Sequence, residues 1–499
     1  MKKTFTLMML MAMGLPAAFS QSKTTPAIAP PALAAIKETD LKKDIFELAS
    51  DAFRGRRAGT LDEMRAAVWT AQKAQEIGLK PAGDDGTYFQ FFNMRRVQID
   101  SRSTMQLNGS SLALWRDFWP TTPVTARFEA PIVWLNSMAD TTQNLQGKVA
   151  VVKIVDPKPM PVSWVSLYGY RYTASAIRQQ SMALRRKGVV AVIMVANDVA
   201  EKAIDFIGNN FQKGSYANEG LRTNTQARTN FNTNAQAMVP VILVRASVGS
   251  SLQQGGTIRG DFRENTFLYP SVNVVAKVSG TDAQLRKEYV LFSGHHDHDG
   301  VGYGMEGRDS IWNGADDNAS VTVGMLAIAR AWVAKPGKRS ALFVWHGAEE
   351  RGLLGSRWYA VHPTVPKEDI VAVLNGDMIG RNNIDTAALL GSTAHRNSQQ
   401  LVDMAMKANT NLTHFKVDFS WDAADHPEGW YRRSDHLPYA DEGIPSIFFT
   451  TLLHPDYHTP RDEPQYINIA KLAKMSRWMY ATGWLVSQAP QKLALDAKK

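Results

Sequence analysis

Five short segments of this sequence carry residue types that can bind a metal and move a proton: His295-His296-Asp297-His298, Asp316-Asp317, Glu349-Glu350, Asp377 and His458. Singly they are ordinary. An Asp pair at a helix start caps it, a Glu pair sits in solvent, and a lone histidine is a satisfied polar residue. Together, two imidazoles and three or more carboxylates suit a pair of zinc ions, which accept nitrogen and oxygen ligands alike. Two ions ~3.5–4 Å apart need one carboxylate to bridge them and a bridging water as nucleophile. Another carboxylate must stay off the ions to take that water's proton. The Glu349-Glu350 pair can supply a ligand and a base side by side. His295-x-Asp297 can supply a ligand with a carboxylate behind it to fix the imidazole tautomer. The chemistry alone does not separate Asp316 from Asp317. The chain has no cysteine, so disulfides, thiolate ligands and a cysteine nucleophile are excluded.

These residues need a scaffold that brings them together, and the pattern around them predicts one. Tyr289 to Ser293, Ala341 to Trp345, Ile370 to Leu374 and Pro445 to Thr450 are short runs rich in Val, Ile, Leu and Phe. Helical patterns fall between or after them at Ser320 to Ala334, Gly355 to Val361, Ser398 to Asn409 and Ile467 to Val486. The alternation predicts an α/β domain with a mixed, mostly parallel central sheet flanked by helices. His295, Glu349-Glu350, Asp377 and His458 lie beyond predicted strands, and Asp316-Asp317 sits in a loop that opens a helix. Ligand sites of open α/β sheets form at the carboxyl ends of the strands, so these loops are expected to converge.

The rest of the chain divides around that domain. Lys2 and Lys3, an apolar run from Phe5 to Phe19 and small residues before Gln21 read as a secretory signal peptide over residues 1–20. The run is shorter than the ~20 residues that span a bilayer, so export to a periplasm or the medium is expected, without stable membrane insertion after cleavage. Residues 21–35 are a Pro/Ala-rich tail. Residues 36–124 are the N-terminal part of that same α/β domain and its connection, with a helix start at Gly59-Thr60 and Asp62-Glu63. Residues 125–262 change to short strands and loops, a small β-rich inserted domain without a catalytic constellation, and residues 263–499 hold the predicted α/β domain. The formal charge is +9, in short basic clusters scattered among acids. This describes a solvated surface with no nucleic-acid motif. Gly302-x-Gly304-x-x-Gly307 matches a dinucleotide fingerprint by letters, without the strand-turn-helix context it requires.

The ordered motifs resemble those of the co-catalytic two-zinc aminopeptidases of the bacterial leucyl aminopeptidase and aminopeptidase Y type. The resemblance rests on Ser293-Gly294-His295-His296-Asp297-His298, Gly314-Ala315-Asp316-Asp317-Asn318-Ala319-Ser320, Gly347-Ala348-Glu349-Glu350, Asn375-Gly376-Asp377-Met378-Ile379-Gly380 and Tyr457-His458-Thr459-Pro460. Gly55-Arg56-Arg57-Ala58-Gly59-Thr60 and Ser434-Asp435-His436 also look like family elements, and the middle segment is similar to a protease-associated domain. The resemblance implies a zinc exopeptidase fold. It implies one zinc on His295, Asp317 and Asp377 and another on Asp317, Glu350 and His458, with Asp317 bridging. It makes Glu349 the general base and Asp297 the residue that orients His295. Peptides with a free N-terminus would be the substrates. Related folds also serve metal-dependent carboxypeptidases and deacylases, glutaminyl cyclases and non-catalytic binding proteins. The carboxypeptidase type usually carries a dimerisation domain between the third carboxylate and the last histidine, an interval that is short here. Aromatic residues at Phe419, Trp421, Trp430 and Tyr431 are either a substrate pocket or core.

Overall fold

The computed structural model describes residues 29–140, 143–160, 167–221, 238–302 and 309–497. The expected signal peptide lies outside the described residues.

The four apolar runs form the centre of a ten-stranded sheet. Ser446–Thr450, Ile370–Gly376, Tyr289–His295 and Ser340–His346 lie side by side in that order, all parallel. Apart from Tyr289 every residue in them is buried. Helices cover both faces, so neither side of these strands needs polar residues, and they read as unbroken apolar runs. Antiparallel strands flank this centre: Glu264–Val278, Phe89–Ile99 and Ser215–Asn218 on one side, and Thr386–Leu390 on the other. Lys416–Val417 closes that second edge, parallel to its neighbour. The sheet is mixed as expected, with its parallel pairing at the centre and in one edge pair.

Helix Ser320–Ala334 is apolar on every side and buried almost throughout, as a helix enclosed by others must be. It packs against helices Glu38–Leu48, Leu61–Ile77 and Ile469–Gln488. Leu61–Ile77 begins with a reciprocal cap. Thr60 Oγ1 accepts from the amides of Asp62 and Glu63, and the Glu63 carboxylate accepts from Gly59 N–H at 2.6 Å.

An eight-stranded second sheet forms the inserted unit, with Ala126–Leu135, Val149–Lys153, Ala191–Val195 and Val241–Val244 parallel at its centre. Helices Tyr168–Arg185, Asp198–Lys213 and Ala246–Gln253 pack on it, which makes it an α/β unit rather than a purely β-rich one. Its first strands are Thr104–Leu107, Ser110–Leu112 and Phe118–Pro120, so it begins about 20 residues before the expected boundary at 125. Those strands are three or four residues long, too short to show a period. The unit rejoins the main sheet where Asp198–Lys213 runs into edge strand Ser215–Asn218. Among the described residues no helix is long and apolar enough to cross a membrane.

Leu374 is fully buried between the helical layer and the sheet. Leu374→Ala is expected to lower unfolding stability by about 2–5 kcal/mol through lost burial and a residual cavity, read as a shift in the denaturant midpoint at unchanged slope.

Candidate metal centre

The carboxyl ends of the central strands open into one cleft. His295 ends Tyr289–His295, Glu349 and Glu350 lie in the turn after Ser340–His346, and Asp377 follows Ile370–Gly376. His458 comes from the loop beyond Ser446–Thr450, and Asp317 from the loop leading into helix Ser320–Ala334. That loop starts at Gly314, whose φ is +55° and where an added Cβ would lie 2.2 Å from the Asp317 carbonyl and 2.4 Å from the His298 ring. A side chain there would push the His298 and Asp317 segments apart.

Asp317 lies between the two imidazoles. Its Oδ1 is 3.3 Å from His295 Nε2, and its Oδ2 is 3.0 Å from His458 Nε2. Asp377 Oδ2 is 3.6 Å from His295 Nε2, and Glu350 Oε1 is 3.2 Å from His458 Nε2. Glu349 Oε2 approaches His295 Nε2 to 3.9 Å. The loop is held so firmly that Asp316 cannot exchange with Asp317. The Asp462 carboxylate accepts from the amides of both, and Asp316 Oδ1 accepts from Gly380 N–H at 2.6 Å, facing away from the cleft.

These positions fit divalent cations. Bonds of ~2.0–2.2 Å at tetrahedral angles put neighbouring donor atoms about 3.3–3.6 Å apart, close to the 3.0–3.6 Å separations of the donors on His295, Asp317, Asp377, Glu350 and His458. His295 Nε2 and Glu350 Oε1 are buried and have no hydrogen-bond partner, which a cation in the cleft would supply. The protein's own charges lean the same way. Burial works against a proton on His458, yet Glu350 and Asp317 outweigh it and raise its pKa to about 10. His295 is likewise raised, against burial, chiefly by Glu349 and Asp377. A site that draws protons onto its imidazoles has an excess of carboxylate and calls for positive charge.

The two adjacent glutamates are set apart. Burial, with Glu350, Asp377 and Asp435 nearby, holds Glu349 well above the usual carboxylate range against the opposing pull of His295. Burial also acts on Glu350, but His458 and His298 overcome it and keep it well below that range. One glutamate is therefore suited to carry a proton and the other to remain an anion.

Behind the donors lies a supporting layer, only part of which the sequence motifs suggest. His295 Nδ1 lies 3.1 Å from the Asp297 backbone oxygen and 3.7 Å from its carboxylate. That carboxylate accepts from the amides of Glu349 and Glu350 at 3.0 and 3.4 Å, so Asp297 fixes the glutamate turn as well as facing the imidazole. Ser434 Oγ donates to Asp377 Oδ2 at 2.7 Å and accepts from Asn375, a concrete part for Ser434-Asp435-His436. His436 instead stacks on Phe448, and burial lowers its pKa to about 3. His296 is buried with Nε2 3.0 Å from the Val272 carbonyl, away from the cleft.

Two residues stand out that spacing alone did not single out. His298 is buried with Nδ1 2.9 Å from Glu350 Oε1, and it groups with Asp317, Glu350 and His458 as donors within 4.8 Å of one another. The His295-x-x-His298 spacing is the one signal in the sequence that could have drawn attention to it. Arg56 is fully buried and donates to the carbonyls of Leu48, His296, Asn313 and Gly314. It ties the His295 segment to the Asp317 loop. Only side-chain placement reveals this, because its partners are all backbone.

The cleft holds a cavity of about 240 Å³ whose lining includes Asp317, Glu349, Glu350, Asp377 and His458. Of the four aromatic residues in question, Trp430 lines it beside Tyr457 and Arg433. Tyr431 is buried, stacked on His395 at 4.3 Å, Trp421 is buried against Trp430, and Phe419 points partly to solvent.

Comparison with known proteins agrees with this architecture. The model of peptidase family M28 matches residues 273–482. That stretch carries every donor of the cluster. Aminopeptidase YwaD of Bacillus subtilis (strain 168) is 31% identical over 166 residues, 32% of this chain and 34% of YwaD. A probable leucine aminopeptidase of Arthroderma benhamiae is 26% identical over 174 residues, 33% of this chain and 45% of that protein. The matched segment thus spans between a third and a half of these relatives. The solved aminopeptidase from Aneurinibacillus sp. strain AM-1 superposes with a TM-score of 0.58 at 18% identity, covering 94% of this chain and 98% of that one. BSAP, a zinc aminopeptidase from Bacillus subtilis, gives 0.58 at 18% identity over 90% of this chain and 95% of its own. At that identity the likeness establishes the fold.

Arg56→Met leaves four buried carbonyls without their donor. It is expected to cost on the order of 3 kcal/mol or more and to weaken metal retention at equal protein concentration, measured by thermal unfolding with and without added zinc.

Proposed function

We propose that the chain is a zinc-dependent aminopeptidase that removes residues from peptides with a free N-terminus, using two zinc ions. His295, Asp317 and Asp377 would hold one ion and Asp317, Glu350 and His458 the other. The observation that carries this reading is Asp317 lying between two imidazoles, one oxygen towards each, with Glu349 beside them in the same cleft. Zinc bound there supplies a water of lowered pKa and positive charge beside the scissile carbonyl. Glu349 takes the proton of the attacking water and hands it to the leaving amine. Its raised proton affinity suits a group that must hold that proton between the two events. Asp297 keeps the glutamate turn and the His295 ring in register. A free substrate ammonium would be drawn to the excess of carboxylate in the cleft. The cavity is smaller than the ~300–1,000 Å³ typical of drug-sized ligands, which suits one substrate residue at a time.

The names of the relatives support the aminopeptidase reading over the carboxypeptidase, cyclase and binding-protein alternatives. The interval from Asp377 to His458 weighs against the carboxypeptidase and deacylase alternative. It contributes Thr386–Leu390, Gln399–Ala408 and Ser446–Thr450 to the main domain, leaving no segment for a separate dimerisation domain. Export through the N-terminal signal completes the proposal. The exported protein is expected to begin at Gln21, as intact mass will report.

The decisive comparison is between the wild-type protein and Glu349→Ala, assayed on aminoacyl-p-nitroanilides and their N-acetylated counterparts. Both proteins are expected to bind two zinc ions. The variant should lose activity by about 10²–10⁴-fold, and acetylated substrates should resist the wild type. Chelation should abolish activity, and zinc should restore it. Cleavage of acetylated substrates alone would move the assignment to an endopeptidase or deacylase.

A further inference from the structure

The two imidazoles of the cluster are backed by carboxylates in the same way. His295 has Asp297 behind its Nδ1 at 3.7 Å, while His458 has Asp299 behind its Nδ1 at 3.6 Å. Both acids come from one extended segment, two residues apart, so a single stretch of backbone serves histidines from opposite ends of the domain. Asp297 is held by the amides of the glutamate turn. Asp299 is held by cations. Its Oδ1 accepts from Lys213 Nζ at 2.5 Å and from Arg351 at 2.6 Å, leaving Oδ2 towards His458. All three side chains are at least nine-tenths buried.

Lys213 does not belong to the peptidase domain. It is the last residue of helix Asp198–Lys213 in the inserted unit, at the point where the chain crosses to edge strand Ser215–Asn218. Its carbonyl is fixed by Arg96 Nε at 2.7 Å, and Arg96 lies on the strand that pairs with that edge. A buried lysine is costly unless it is paired, and Asp299 already has Arg351. A second cation on the same oxygen does more than neutralise it. It fixes the rotation of the carboxylate, so that the other oxygen points at His458.

Resting on the two-zinc reading above, we propose that Asp299 and Lys213 are positioning residues for His458. Asp299 would orient the imidazole from behind, and the inserted unit would supply, through Lys213, the anchor that aims Asp299. The inserted unit thereby takes part in building the second metal position, without touching the metal.

The test is zinc affinity measured ion by ion, by competition with a chromophoric chelator, on the full chain. The variants are Lys213→Met, Lys213→Arg and the double variant Lys213→Met/Asp299→Asn, which removes the ion pair together and leaves Arg351 in place. Loss of such outer partners typically weakens metal binding 10–100-fold. We expect Lys213→Met and the double variant to weaken one of the two ions by about that factor and leave the other at its wild-type affinity, with Lys213→Arg restoring both. A role confined to holding the fold would instead lower the melting temperature of the metal-free protein and leave both affinities unchanged, or lower both equally. Either result overturns the inference. Wild-type protein that binds fewer than two ions would remove the two-zinc reading itself, a failure visible before any variant is compared.

Discussion

A carboxylate that faces two imidazoles at once can hold that position only if its own backbone cannot move. In this protein the constraint falls on the loop from Gly314 to Ser320. Asp462 occupies the amides of Asp316 and Asp317, Gly380 takes one oxygen of Asp316, and Arg56 grips the carbonyls of Asn313 and Gly314. Ser320 Oγ donates to the Asp316 carbonyl and accepts from the Ile379 amide, which couples the loop to the segment carrying Asp377. The remaining donors are arranged around this rigid point, and their spacing follows from the strand ends on which they sit. An exposed loop could supply the same residue types but not the same spacing.

The cost of such a cluster is the burial of several acids in one place. The structure meets it by giving each acid a different counterpart. Glu350 lies against His298 and His458, Asp377 against Ser434, Asp297 against two amides, and Asp299 against two cations. Glu349 has no comparable partner and keeps its affinity for a proton. The difference between two neighbouring glutamates is therefore a product of surroundings rather than of residue type, as expected where acid and base functions share one cleft.

Much of this could be read from the sequence. The central strands were legible because burial on both faces leaves them as unbroken apolar runs, and most of the donors were legible because they follow such runs, Asp317 instead opening a helix. Helix Leu61–Ile77 announced itself through Thr60 and Glu63. The start of the inserted unit did not, since Thr104–Leu107 and its neighbours are too short to display a period. The parts played by Arg56, Asp299 and Lys213 depend on contacts between positions far apart in the chain or on backbone acceptors, which leave no local pattern. The choice between Asp316 and Asp317 is of the same kind. Two identical neighbours differ only in which one the backbone turns towards the imidazoles.

The enclosed helix Ser320–Ala334 bears on the order in which the molecule can be assembled. It follows the Asp317 loop directly, and its apolar surface is covered from one end of the chain by Glu38–Leu48 and Leu61–Ile77 and from the other by Ile469–Gln488. Until the last of these has been synthesised, one side of that helix has only water to face, and the domain cannot close around it. His458 also emerges late, just ahead of the covering helix. A nascent chain can therefore present isolated ligands but not the assembled cluster. The complete set of donors, and the helix that closes the domain around them, exist together only in the finished polypeptide.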